Sequence, residues 1–236
     1  MPYIDWMKNI IIYYIATGPY VKFFDKFIDS VKNFLPNDKK TVVLLTDSKE
    51  NIVGGDDIFI KQHYIQHFCW PIVTLFKMKY ILDYFVDDCD YAFYINSNSY
   101  CKDGLSLDLK KNMTFAKHYC NDGKQYNDYN KHQLKESESF IDYNNLPSDI
   151  RYCQGAFFGG KPSYLKTFCI EIYEMIQKDL EKNIIPTWHD ESYLNKWLYC
   201  NYWMKENKPD YNIVSLKDIV FLEDKGKQFD KFKGNE

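Results

Sequence analysis

The sequence predicts an α/β fold built on parallel strands, and three observations carry that reading. Short runs of β-branched and aromatic residues stand at 10–16, 41–45 and 91–95. Each is too short for a helix and too continuous for a half-exposed strand. Between the first two lies a segment with helical apolar spacing. Strand, helix, strand at this separation is a βαβ unit with a parallel pair.

The first run, Ile10-Ile11-Ile12-Tyr13-Tyr14-Ile15-Ala16, ends at the turn signal Thr17-Gly18-Pro19. Tyr20, Phe24, Phe27, Ile28, Val31 and Phe34 then recur at helical spacing until Pro36 stops them. Residues 41–45 form the second buried strand, closing at Thr46-Asp47. Residues 56–61 read as a third strand and 70–85 as one helix with the apolar stripe Leu75, Met78, Leu82 and Phe85. The strand at 91–95 stops at Asn96-Ser97-Asn98. Residues 121–150, rich in Asn, Asp, Lys and Tyr, read as a long surface excursion. Residues 155–160 are a short apolar strand bracketed by glycines. Pro162 starts a helix carrying Leu165, Phe168, Cys169, Ile172 and Ile176. A last helix opens at His189-Asp190-Glu191-Ser192, with Leu194, Trp197 and Leu198 on one face. A weak strand at 218–222 and a Lys-rich end complete the chain. With no internal repeat and no linker, residues 1–236 read as one domain.

Composition narrows the function. The 236 residues are 45% apolar and 27% charged, which suits a packed core and argues against disorder. Lys and Arg number 30 against 33 Asp and Glu, so the basic excess of a nucleic-acid binder is missing and no nucleic-acid partner is expected. The 21 Tyr, 17 Phe and 5 Trp suit stacking on sugars and bases, although core filling explains most of them. Arg151 is the only arginine, so Lys must stand wherever a site needs a cation. Seven cysteines in irregular spacing, without a CxxC pair, point to free thiols rather than a zinc ribbon. No signal peptide or transmembrane segment is visible, and a soluble cytoplasmic protein is expected.

Three constellations could carry chemistry. Trp188-His189-Asp190-Glu191 puts ionisable groups at a helix start, where carboxylates also serve simply as caps. Asn96-Ser97-Asn98 ends a parallel strand, where open α/β sheets bind ligands, and is equally an ordinary turn. In a nucleotide-sugar enzyme an Asp-x-Asp at such a place would hold a divalent metal. Here both outer residues are neutral amides, which supply no charge to a hard cation, so no metal cofactor is expected. The glycines of 155–160 allow either close ligand approach or tight turns. Neither GxGxxG, a Walker A loop nor GxSxG occurs, which disfavours dehydrogenases, P-loop NTPases and α/β-hydrolases.

Taken in order, these pieces resemble glycosyltransferase family 6, the family of the blood-group A and B transferases and the α-1,3-galactosyltransferase. The anchors are Ala16-Thr17-Gly18-Pro19-Tyr20, Leu45-Thr46-Asp47, Trp70-Pro71 with residues 74–79, Asn96-Ser97-Asn98, residues 155–160 and Trp188-His189-Asp190-Glu191-Ser192, continued by Leu194-Asn195-Lys196. The resemblance implies a GT-A fold, a single α/β domain with a Rossmann-like nucleotide-binding half near 8–100 and an acceptor-binding half near 101–236. It implies a UDP-galactose or UDP-N-acetylgalactosamine donor and transfer with retention to the 3-OH of a terminal galactoside glycan, with or without fucose.

By position, Ile15, Ala16, Thr17 and Tyr20 resemble the uridine pocket, and Lys77 stands where the family usually has Arg. Asn96, Ser97 and Asn98 occupy the place of the metal-binding motif, as in bacterial-type members that work without metal. Gln154, Gly155 and Ala156 match the triplet that selects the donor's C2 substituent, and Ala156 inclines it toward galactose. His118 and Trp188 resemble acceptor contacts, His189 and Asp190 donor contacts, and Glu191 the catalytic carboxylate. Lys225 and Lys231 resemble the basic tail that closes over the diphosphate. The absence of a transmembrane stem suggests a microbial or viral source. Two rivals stand beside a transferase. One is a non-catalytic binder of UDP-sugar or glycan, and the other is a UDP-sugar hydrolase using water in place of the acceptor.

Overall fold

In the computed structural model of the chain, the apolar runs are strands β1 (Asn9–Ala16), β2 (Lys39–Thr46) and β4 (Tyr91–Ile95), with β3 (Ile58–Tyr64) beyond β2. The structure describes residues 7–52, 54, 58–102, 107–118, 134–142, 144, 146–215 and 220–222. The later strands are β5 (Ser99–Cys101), β6 (Met113–Lys117), β7 (Cys153–Gly160), β8 (Tyr211–Ser215) and β9 (Val220–Leu222). A seven-stranded sheet runs in the order β3-β2-β1-β4-β7-β6-β8, while β5 and β9 form a separate antiparallel ribbon. β1 to β4 are mutually parallel, as the βαβ pattern requires. β7 lies antiparallel to both β4 and β6, which makes the sheet mixed.

Both faces of β1 are buried. Ile11, Tyr13 and Ile15 face one core. Ile10, Ile12, Tyr14 and Ala16 face the other, where α1 (Phe24–Val31) packs and the Tyr14 ring stacks on Phe27 at 4.0 Å. Strand side chains alternate between faces, so burial on both sides produces the unbroken apolar run. The first core is covered by α2 (Ile72–Leu75), α3 (Lys77–Asp83), α4 (Pro162–Glu181) and α5 (Asp190–Leu198). On the central β7, a Cβ on Gly159 would lie 2.4 Å from the Ala92 carbonyl, and one on Gly160 2.2 Å from the Asn112 carbonyl. These two glycines therefore serve close strand packing.

Three expectations are corrected. The helix after β1 begins as a 3-10 turn over Gly18–Phe23, and α1 itself has 8 residues. The single helix expected over 70–85 is two, α2 and α3, meeting at Phe76. Trp70 lies outside both, joined to Pro71 by a cis peptide bond. The excursion expected to be superficial carries buried residues in its second part. Ser137, Ser139 and Ile141 are buried, and the fully buried Asp179 carboxylate on α4 holds them in place. It accepts hydrogen bonds from Ser137 Oγ (2.5 Å), Glu138 N (2.8 Å) and Tyr193 Oη (2.9 Å). Residues 119–133, 218 and 219 lie outside the described residues. Among the described residues, no helix is long and apolar enough to cross a membrane.

Candidate active site

After β1 the chain turns to one side to form β2, and it later returns to β1's other side as β4. This reversal of strand order opens a crevice at the carboxyl ends of the two strands. A cleft of about 710 Å³ lies there. Thr17 and Tyr20 enter it from the end of β1, and Asn96 and Ser97 from the end of β4. Because β7 is antiparallel to β4, its beginning lies beside the end of β4, and Asn96 N donates to Ala156 O at 2.9 Å. That brings Gln154, Gly155 and Ala156 to the same floor. Trp188, His189, Asp190 and Glu191 form the facing wall at the start of α5.

The wall is an ionic cluster. Lys77, at the start of α3 and 4% exposed, donates from Nζ to Asp190 Oδ2 at 2.5 Å and to Gly155 O at 2.8 Å. The same ammonium stands 4.6 Å from the centre of the Tyr94 ring. Burial alone would lower the Lys77 pKa, but the adjacent Asp190 carboxylate outweighs it and holds the ammonium well above its ordinary value. Glu191 turns the other way. Its Oε1 accepts from Gly155 N at 3.0 Å and its Oε2 from Tyr152 Oη at 3.1 Å. Burial, reinforced by the Asp190 charge, raises its pKa from 4.5 to about 7, against the pull of Gly155 N, Lys77 and Tyr152.

Neither carboxylate of this pair caps the helix: Asp190 is spent on Lys77 and Glu191 on β7. The residue at the cap position, His189, makes no side-chain cap and adopts φ 49°, a conformation that L residues rarely hold. Its ring meets Trp70 edge-on at 4.5 Å, and burial lowers its pKa. Gly155 leaves room for the cluster. A Cβ there would lie 2.6 Å from Asp190 Oδ2 and 3.1 Å from Glu191 Cγ, so this glycine serves the site.

At the opposite end, Gly18 N donates to Asp47 Oδ1 at 2.9 Å, which ties the turn after β1 to the end of β2. Thr17 Oγ1 lies 3.1 Å from His67 Nδ1. Asn96 Nδ2 donates to Asn98 Oδ1 at 2.6 Å, and Tyr94 Oη donates to Asn96 Oδ1 at 3.0 Å. The amides at the expected metal position therefore bond within the protein and bring no negative charge. Both amide oxygens accept hydrogen bonds here, and neither supplies the anionic charge that a hard cation favours. Among the described residues, no group of three or more His, Cys, Asp or Glu is arranged to hold a metal.

Most of the expected site residues meet in this cleft: Ile15, Thr17, Tyr20, Lys77, Asn96, Ser97, Gln154, Gly155, Ala156, Trp188, His189, Asp190 and Glu191. Three do not line it. Ala16 points into the core on the α1 side, because its neighbours Ile15 and Thr17 face the cleft and strand residues alternate. Asn98 is buried behind Asn96. His118 follows β6 and sits behind Tyr152, its ring centre 6.1 Å away, with a pKa lowered by burial. Lys225 and Lys231 lie outside the described residues.

The structure adds His67, Phe68, Cys69, Thr187 and Tyr94 to the lining, and Tyr152 and Asn195 behind Glu191. Asn195 carried a sequence signal, as did the lining residues Pro19, Trp70 and Thr74, as parts of the motifs quoted above. Tyr94 lay in the strand read at 91–95, and His67, Phe68, Cys69, Thr187 and Tyr152 reach the site through tertiary contacts.

A mixed α/β sheet with a cleft at its switch point, walled by a carboxylate cluster and floored by amides, is the architecture of a GT-A-like glycosyltransferase. Residues 6–217 match the sequence profile described as glycosyltransferase family 6. The chain belongs to glycosyltransferase family 6. It is 31% identical over 195 residues to the Escherichia coli protein named O-antigen biosynthesis glycosyltransferase WbnI, a match covering 80% of this chain and 82% of that protein. Membership in the family implies a nucleotide-sugar donor and a glycan acceptor.

Proposed function

We propose that the chain is a retaining transferase that moves galactose or N-acetylgalactosamine from a UDP-sugar to the 3-OH of a terminal galactoside, forming an α-1,3 linkage without a metal. The observation that carries this reading is Glu191. It is a carboxylate on the cleft wall, fixed through both oxygens and facing the floor where Asn96, Ser97 and Gly155 converge. A retaining transfer needs negative charge on the face of the sugar opposite the leaving diphosphate. Glu191 fits that task either as nucleophile or as the partner of an oxocarbenium-like state. In this reading the first half of the chain holds the nucleotide, with Thr17 and Tyr20 at the uridine.

The diphosphate gathers charge as it leaves, and cations and amide donors must compensate. Asn96, Lys225 and Lys231 take that role here. Lys77 takes a different one: its charge is already balanced by Asp190, so it holds that carboxylate in place for the donor sugar. Gln154 Oε1 is buried at the cleft without a hydrogen-bond donor among the described residues, and a sugar hydroxyl or acetamide N–H would supply one. Acceptor binding falls to Trp188, 37% exposed at the rim.

The test is UDP release from UDP-galactose and UDP-N-acetylgalactosamine in EDTA, with galactoside acceptors with and without α-1,2-fucose. Acceptor-dependent release is expected. Release that ignores the acceptor would make the protein a hydrolase. No release with either donor, even after manganese is added, would overturn the transferase reading in favour of a binding protein.

A further inference from the structure

We infer that Tyr152 is the positioning residue of Glu191, fixing the rotation of its carboxylate through the hydrogen bond from Tyr152 Oη to Oε2. The inference rests on the reading of Glu191 as the reacting carboxylate. Two donors grip that carboxylate on opposite oxygens, Gly155 N on Oε1 and Tyr152 Oη on Oε2. One bond alone would leave the group free to rotate about its last torsion, whereas two set its plane. Gly155 donates from the backbone, so Tyr152 is the side chain on which the orientation depends.

The surroundings make this bond more than a chance contact. The amide of Asn195, itself 1% exposed, splices β7 to α5. Its Oδ1 accepts from Cys153 N, and its Nδ2 donates to both Cys153 O and Glu191 O, each at 2.8 Å. Tyr152 adjoins one end of this splice and Glu191 is the other, so the distance between them is set by the backbone. The Tyr152 ring is 1% exposed, and its carbonyl accepts from His118 N at 2.8 Å. A phenyl ring would fill that space equally well. The hydroxyl is what Glu191 uses.

The groups facing Glu191 work in both directions. The loss of water and Asp190 on its own helix favour the protonated form, while Cys153 on β7, its thiol pushed up by burial, brings no charge. Lys77 on α3, Gly155 N and the Tyr152 hydroxyl favour the anion. His189 at the helix start and His118 behind Tyr152 complete the ionisable neighbours. Replacing the hydroxyl with hydrogen removes a donor from the anion and leaves the rest in place.

The test uses the intact chain with carboxyl-labelled glutamate, titrated by carbon NMR as wild type and as Tyr152→Phe, with Glu191→Gln marking the resonance. The Glu191 midpoint is expected to move up by about one pH unit in Tyr152→Phe. In donor turnover the same variant is expected to lose about tenfold in kcat, with KM for the UDP-sugar within about twofold of wild type. The acid limb of its pH profile should move up with the midpoint. A fluorinated tyrosine placed at 152 keeps the ring and donates more strongly, so it should move the midpoint down. It also serves if the Phe variant does not fold.

A midpoint that stays fixed in both variants would overturn the proposal, as would a moved midpoint with unchanged kcat. If the wild type turns over no UDP-sugar, the transferase reading fails while the NMR midpoints still decide whether Tyr152 holds Glu191.

Discussion

In the proposed reaction, Glu191 is where a single residue does most to set the chemistry. A Glu191→Gln variant keeps size and polarity but removes the negative charge. It is expected to lose at least about a hundredfold in kcat while UDP affinity stays within about threefold, compared by turnover and by calorimetric titration of UDP. Turnover near wild type would remove Glu191 from the reaction. The raised pKa sets the pH response. The carboxylate forms as pH rises through about 7, so kcat/KM should climb tenfold per unit below that value and level off above it. A profile flat from pH 5 to 8 would contradict this. For stability the sign is opposite. The folded state holds this proton to about 7 whereas the unfolded chain releases it near 4.5, so this group makes the protein less stable as pH rises between those values. The ionised form that the proposed reaction needs is therefore the one that the fold tolerates least. The place of Glu191 in the cleft was legible in the sequence through the motif around it. Tyr152 was not, because 39 residues separate it from Glu191 and only the pairing of β7 with α5 brings them together.

At the scale of elements, the sequence was most readable where burial is complete. β1, β2 and β4 are apolar on both faces, and that pattern locates them within a residue or two. It says nothing of direction, so the antiparallel entry of β7 could not be read from residues 155–160. The stretch around 134–142 was misread for a different reason. Its polar residues suggest a solvated loop, yet Ser137 is satisfied by Asp179, a carboxylate that α4 carries into the core. Polar sequence marks the surface only where no buried partner answers it.

That hub joins the 134–142 stretch, α4 and, through Tyr193, the helix that carries Glu191. Asp179→Ala would leave two hydroxyls and one backbone N–H buried without their acceptor. The expected loss is about 3 kcal/mol, seen as a lower urea midpoint with an unchanged slope. A loss below about 1 kcal/mol would mean that these groups find other partners.

For the whole molecule, the cleft is the seam between the parallel strands β1 and β4 on one side and β7 with α5 on the other. In the proposed function a nucleotide binds there across both sides, so its binding energy would resist global unfolding. At a UDP concentration one hundred times Kd, mass action adds about 2.7 kcal/mol. For a chain of this length that raises Tm by roughly 5–10 °C. In the proposed metal-free reading the cations that meet the diphosphate are protein side chains, since Asn96 and Asn98 are bonded to each other and offer a cation no charge. The UDP-induced rise is therefore expected to be the same in EDTA and in manganese, and to shrink as salt screens the lysines. A rise that appears only with manganese would place a metal between protein and diphosphate, and would require the amide pair to part and bind it. A rise that ignores salt would shift the work from lysine charge to the amide and hydroxyl donors around Thr17 and Asn96.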